Sequence, residues 1–353
     1  MVYHMNPEIV ANSNPLQATH IPEHFLSRVD EQEQLHQAFP TETDATPRNL
    51  YIHGPRGTGK THLVKSVLSN LPKRVQTCYI SCIEADTQYK VLQQFYRSLT
   101  GENIENGHHT SDLQRAITDR LGAVPTILIL DEVDLLLHGD DENLLYYLSR
   151  LDPEKQLSIV LVSGTNTTLS DLVESRTYSS LQPREIQFES YSNKQIYDII
   201  AQRASQSLKP RSLHNNAASY IASSTRNTEL ALTWLRTAVK QAEDAVTESH
   251  VHQVTKDARH AYISRRLDRL TEHHKHLYTA IDELAAEAGP VIQTGSIYDR
   301  YETITGENST EPLSNRRISD YLKQLEKLNV VEAEYHYGGE KGKTREVRPL
   351  GLE

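Results

Sequence analysis

One short segment constrains this chain more than any other. Leu50-Tyr51-Ile52-His53 reads as an apolar strand and runs directly into Gly54-Pro55-Arg56-Gly57-Thr58-Gly59-Lys60-Thr61, a complete G-x-x-x-x-G-K-T phosphate loop, after which HLVKSVLSN continues as a helix. Gly54, Gly57 and Gly59 let the backbone curl closely, so that its N–H groups and the helix N-terminus face phosphate oxygens. Residues 54–61 are therefore the candidate nucleotide site. Lys60 is placed to reach the β and γ phosphates of ATP, and the Thr61 hydroxyl to ligate Mg²⁺.

A second apolar run, Thr126-Ile127-Leu128-Ile129-Leu130, delivers Asp131-Glu132-Val133-Asp134 at its C-terminal end, where open α/β sheets bind their ligands. Asp131 is the expected Mg²⁺ partner, and Glu132 the candidate to polarise an attacking water. A third strand, 157–163, ends in Gly164-Thr165-Asn166. The Asn166 amide could hold that water or sense the γ-phosphate, although Gly-Thr-Asn is also an ordinary turn. Strands at 77–82 and 184–188 alternate with helical stretches, and this predicts an α/β domain with a parallel sheet.

From Ser192 the pattern turns helical, with Ser192 and Gln195 spaced as a capping box. A small all-helical lid is expected to follow the sheet. The formal net charge of −10 confines any nucleic-acid contact to local basic patches. The N-terminal sequence MVYHMNPEIVANSNP has neither a basic leader nor a secretory segment, and no apolar run is long enough for a membrane span. A soluble cytoplasmic, nucleoid-associated protein without a membrane partner is the expectation. Cys78 and Cys82, the two cysteines, are expected as buried thiols. Histidines at 108, 109, 273, 274 and 276 lack the partners and spacing of a metal site and are expected to face solvent at element ends.

Beyond about Leu270, helices over 275–288, 296–303 and 315–328 and a basic hairpin around Gly338-Gly339-Glu340-Lys341-Gly342-Lys343 predict a winged helix-turn-helix. Ser314 is a natural N-cap for the third helix. Ile318, Tyr321, Leu322, Leu325 and Leu328 recur at helical spacing and face the module's core. Asn315, Arg316 and Arg317 are left at the exposed end, where a recognition helix meets base edges in the major groove. Lys341, Lys343 and Arg345 on the wing are candidates for phosphates or a minor groove, while a protein-contacting winged helix stays open as the alternative.

The order of phosphate loop, Asp-Glu-Val-Asp strand, Asn-tipped strand and helical lid resembles the AAA+ superfamily. The stretches TPRNLYIHGPRGTGKT, CYISCIEADTQYKVLQQFYRSL, LDEVDLLL, SGTNTTLSDLVESRTYSSL and ELALTWLRTA further resemble the archaeal origin-recognition initiators, relatives of the eukaryotic origin recognition complex and helicase-loading factor. Residues 1–20, rich in Asn and Pro and without periodicity, are expected as a disordered arm, with 21–190 as the AAA+ domain, 191–268 as the lid and 269–353 as the winged helix. The resemblance adds a function. It implies an ATP/ADP switch with weak hydrolysis that binds origin duplex DNA. Implied partners are a minichromosome-maintenance helicase and a second initiator protomer on DNA. The helix over about 86–100, with Lys90 and Arg97, would be an insertion pressing on DNA. Two positions depart from the family pattern. Glu229 stands where the lid's γ-phosphate-sensing Arg belongs, with Arg226 a turn earlier as candidate substitute, and Thr177-Tyr178-Ser179-Ser180 follow Arg176 where a finger arginine is often placed. A nucleotide-gated transcription regulator and a non-hydrolysing initiator paralogue are the alternative readings.

Overall fold

The computed structural model describes residues 8–39, 48–104, 109–122, 124–137, 142–336 and 344–350. The chain gathers into two compact units, residues 1–255 and 256–353.

The first unit is built on five parallel strands: β1 (Leu50–His53), β2 (Gln76–Ser81), β3 (Thr126–Asp131), β4 (Leu157–Val162) and β5 (Arg184–Gln187), in the order β2-β3-β4-β1-β5. Alternate residues of a strand share a face. Leu50 and Ile52, Ile127 and Ile129, Val160 and Val162, and Ile186 accordingly form one apolar layer, packed with Leu35 and Ala38 of helix Val29–Ala38 and with Leu63, Val64 and Val67 of helix Lys60–Ser69. All residues of β1 and β3 are buried, as a parallel sheet covered on both faces requires. Val162 pairs with both Ile52 and Asp131, so the phosphate loop and the acidic turn leave the sheet at one level, two strands apart.

Helices Asn193–Ser207, Asn215–Ser224, Thr228–Gln241 and Glu248–Gln253 follow the sheet. Ser192 and Gln195 form the expected capping box. Trp234 is 1% exposed and donates its indole N–H to the Val251 carbonyl at 2.9 Å. The N-terminal arm, expected to be disordered over 1–20, is corrected from Glu8 onward. Ile9 and Leu16 are each 1% exposed, and the amides of Ala11 and Asn12 donate to the Ser207 carbonyl at 2.9 and 3.0 Å. A helix leaves its last carbonyls unpaired, and the arm supplies the missing donors at the end of Asn193–Ser207.

The second unit holds helices Glu272–Ala288, Thr294–Glu307 and Asn315–Lys327 and an antiparallel sheet of β6 (Ile292–Gln293), β7 (Val331–His336) and β8 (Thr344–Pro349), in the order β6-β8-β7. That succession is a winged helix. Helix Thr255–Leu267, expected within the lid, runs into this unit, and Arg266 on it donates to the Leu328 carbonyl at 2.6 Å. No helix among the described residues is long and apolar enough to cross a membrane.

Candidate functional site

The phosphate loop takes the backbone its glycines predict, with φ of +137° at Gly54, +74° at Gly57 and +90° at Gly59. Gly57 has a second reason to lack a side chain, because a Cβ there would lie 2.1 Å from Asn227 Oδ1 of the lid. Asn227 caps helix Thr228–Gln241 through the amides of Glu229 and Leu230, and the Thr228 hydroxyl and amide both donate to the Gly57 carbonyl, at 2.6 and 3.1 Å. The lid thus meets the loop through a helix start.

The Lys60 ammonium donates to the carbonyls of Gly54 and Pro55 at 2.6 and 2.7 Å and is almost wholly enclosed. Burial, opposed by the carboxylates of Glu132 and Asp131, brings its pKa down to about 8. The Thr58 hydroxyl donates to the Pro55 carbonyl at 2.8 Å, closing the loop on itself.

Across β4, the Thr61 hydroxyl donates to both oxygens of Asp131, at 3.2 and 3.0 Å. A hydroxyl beside a carboxylate is the hard-oxygen donor set that Mg²⁺ takes, so these two residues fit the ion the motif implies. Asp131 is held further by the Tyr79 hydroxyl at 2.5 Å and accepts the Glu132 amide at 3.0 Å. Tyr79 was not marked by any motif. It lies on β2 opposite Ile129, so its ring and Asp131 share a sheet face two residues apart, and register alone finds it. The Lys65 ammonium sits 4.0 Å over that ring.

Glu132 adopts φ +59°, a left-handed conformation uncommon for a residue with a side chain. Its carboxylate forms an ion pair with Arg56 of the phosphate loop, whose other nitrogen lies 3.3 Å from Asp134. Burial, followed by the charges of Asp131 and Asp134, pushes the Glu132 carboxyl above the usual range, and Arg56 pulls it back. Asp134 also accepts the Gly164 amide at 2.9 Å, tying the acidic turn to the tip of β4.

Asn166 and Arg226 are hydrogen-bonded to other residues. The Asn166 side chain is exposed and accepts from Gln187 at the end of β5, 3.0 Å away. Arg226 is exposed and donates to the Tyr191 carbonyl at 3.1 Å, toward the start of the lid. A further residue unmarked by motif, Arg28, lies over the Phe188 and Tyr191 rings at 5.1 and 4.0 Å and donates to the Glu189 carbonyl at 2.6 Å, fastening the segment between sheet and lid.

Cys78 and Cys82 are buried and unpaired; burial raises the Cys78 thiol to about 12 and Cys82 well above its ordinary value. On helix Gln88–Thr100, Lys90 pairs with Asp86 at 2.7 Å and Arg97 is exposed. Arg176 pairs with Glu174 at 2.7 Å and lies over the Tyr146 ring.

In the winged helix, Asn315, Arg316 and Arg317 are exposed at the first turn of Asn315–Lys327, while Ile318, Leu322 and Leu325 are buried on its other face. Ser314 occupies the N-cap position without a side-chain hydrogen bond. Arg345 is corrected as a DNA contact. It pairs with Glu326 at 2.8 Å, lies over the Tyr335 ring and is 9% exposed. The strand's period of two puts it on the inward face with Val347. Lys341 and Lys343 lie outside the described residues. His274, expected at the surface, is 4% exposed and stacks on Tyr321 with ring centroids 4.0 Å apart.

Comparison with known proteins agrees with both halves. Residues 43–171 match the AAA domain family and residues 265–349 the CDC6 C-terminal winged helix domain family. The chain is 30% identical over 367 residues to the ORC1-type DNA replication protein of Pyrococcus horikoshii, covering 97% of this chain and 87% of that protein. It is 29% identical over 365 residues to the same protein of Thermococcus onnurineus, covering 97% and 88%. Among solved structures it resembles the Aeropyrum pernix ORC1 protein in complex with DNA, with a TM-score of 0.78 at 25% identity over 97% of this chain and 94% of that one. It shares the fold of CDC6P from Pyrobaculum aerophilum, with a TM-score of 0.64 at 18% identity over 98% and 95%. A phosphate loop facing an acidic strand tip, joined in one chain to a winged helix and matched over nearly its whole length, makes this chain a member of the ORC1-type DNA replication protein family.

Proposed function

We propose that this chain is an ATP-responsive initiator that binds origin duplex DNA and helps recruit the replicative helicase. The observation that carries the nucleotide half is the Thr61 hydroxyl on Asp131 at 3.0 Å, which brings the two oxygen donors of an Mg²⁺ site together from strands that are not neighbours. Mg²⁺ held there would neutralise phosphate charge. Loop amides at 54–61 bind the phosphates, Lys60 exchanges its loop carbonyls for phosphate oxygens, and the Thr228 contact to Gly57 couples the loop to the lid.

The DNA half is supported by the exposed Asn315, Arg316 and Arg317 at a helix N-terminus, and by the DNA complex of the Aeropyrum pernix relative. A minichromosome-maintenance helicase and a second protomer on DNA are the partners that go with this reading. The full chain, footprinted on its host's origin DNA with and without ATP and Mg²⁺, should protect a discrete duplex site with ATP-dependent affinity. Protection of promoters instead, or of no discrete site, overturns the proposal.

A further inference from the structure

Arg56 lies in the variable part of the phosphate loop, yet its side chain is 4% exposed and turned away from solvent into the acidic turn. One nitrogen pairs with Glu132, another lies 3.3 Å from Asp134, and the guanidinium rests on Gly164, where a Cβ would come within 2.7 Å of its central carbon. A single side chain thereby spans the loop after β1, the turn after β3 and the tip of β4. Glu132 is held at φ +59° on the other side of the pair.

We propose that Arg56 is a positioning residue that keeps Glu132 in an ion pair, so that Glu132 must leave Arg56 before it can serve as the base in ATP hydrolysis. The inference rests on the nucleotide reading above. In that reaction the water oxygen bonds to the γ-phosphorus, the bridging P–O bond to the β-phosphate breaks with its electron pair leaving on ADP, and the water proton passes to the Glu132 carboxylate. A carboxylate committed to a guanidinium presents its lone pairs to the fork and is the weaker base. Guanidinium does not titrate at working pH, so the pair opens by movement and not by deprotonation. Gly164 belongs to the same device, because only a residue without a side chain leaves room for the planar group.

Two variants of the full chain test this from opposite sides: Arg56→Gln removes the cation, and Gly164→Ala displaces it without altering a charge. Each is followed by thermal melting, by titration with a fluorescent ATP analogue, and by single-turnover hydrolysis at saturating ATP. The hydrolytic rate should rise by about tenfold in both, the factor expected from a barrier lowered by about 1.4 kcal/mol. Arg56→Lys, which keeps a positive charge beside Glu132, should turn over more slowly than Arg56→Gln, a rescue that a purely structural role for the guanidinium would not give. Folded variants that bind ATP but turn over no faster than the parent overturn the inference alone, and Gly164→Ala decides the matter if Arg56→Gln does not fold. A parent chain that binds no ATP overturns the nucleotide reading itself, and this inference with it.

Discussion

The Tyr79 hydroxyl donates to Asp131 at 2.5 Å, on the same carboxylate that receives the Thr61 hydroxyl. Partners behind a metal-ligating carboxylate fix its orientation, and their loss costs about ten- to a hundredfold in metal affinity. Tyr79→Phe should therefore raise the Mg²⁺ concentration that half-saturates ATP binding by about tenfold, with little change in melting temperature. Titration of Mg²⁺ at fixed nucleotide checks this, and an unchanged midpoint would count against Asp131 as the metal partner.

Lys60 gives ATP affinity a defined pH dependence. Its pKa in the nucleotide-free protein is about 8, lowered by burial, and phosphate contact favours the charged form. Below that value Lys60 is already protonated and affinity is flat with respect to it. Above it, binding must take up a proton, so affinity should fall by up to about tenfold per pH unit. Calorimetric titration in buffers of different ionisation enthalpy should detect proton uptake near pH 8 and none near pH 6.

Gly57→Ala should be costly twice over. The position has φ +74°, where a side chain costs about 1–2 kcal/mol, and the new Cβ would meet Asn227 Oδ1. A loss of about 2 kcal/mol or more is expected in the melting of the first unit, together with weaker ATP binding. Calorimetric melting with a parallel nucleotide titration checks both.

Arg316 and Arg345 separate DNA recognition from folding. Changing Arg316 and Arg317 together to Ala should weaken sequence-specific binding by at least about tenfold and flatten the salt dependence. Arg345→Ala leaves Glu326 without its buried partner, and should lower the stability of the winged helix while the salt slope stays as it was. Anisotropy titrations across a salt series, beside melting curves, distinguish the two.

Contiguous chemistry was legible in the sequence, and chemistry set by register was not. Residues 54–61 and Asp131 are marked out by local spacing, and the apolar run of β3 and the apolar period of helix Asn315–Lys327 reveal their buried residues directly. Arg345 reads as a basic wing residue until β8 is paired and its inward face is known. The hydrogen bond between Asn166 and Gln187 joins the ends of β4 and β5, and no local spacing shows that pairing. The arm around Ile9 has the composition of a disordered tail, and its anchorage depends on the unpaired end of a helix some two hundred positions away. Arg56 occupies a variable position of its motif, so spacing gave no sign that it would meet Glu132.

The Gly57 carbonyl, accepting twice from Thr228, gives the chain an optical reporter of its own. The single tryptophan of the sequence, Trp234, rides on the helix that Thr228 begins. Its indole is seated against Tyr220, so a nucleotide that shifts the glycine's peptide plane and the helix start with it should change the emission of unlabelled protein, without a dye placed near the loop.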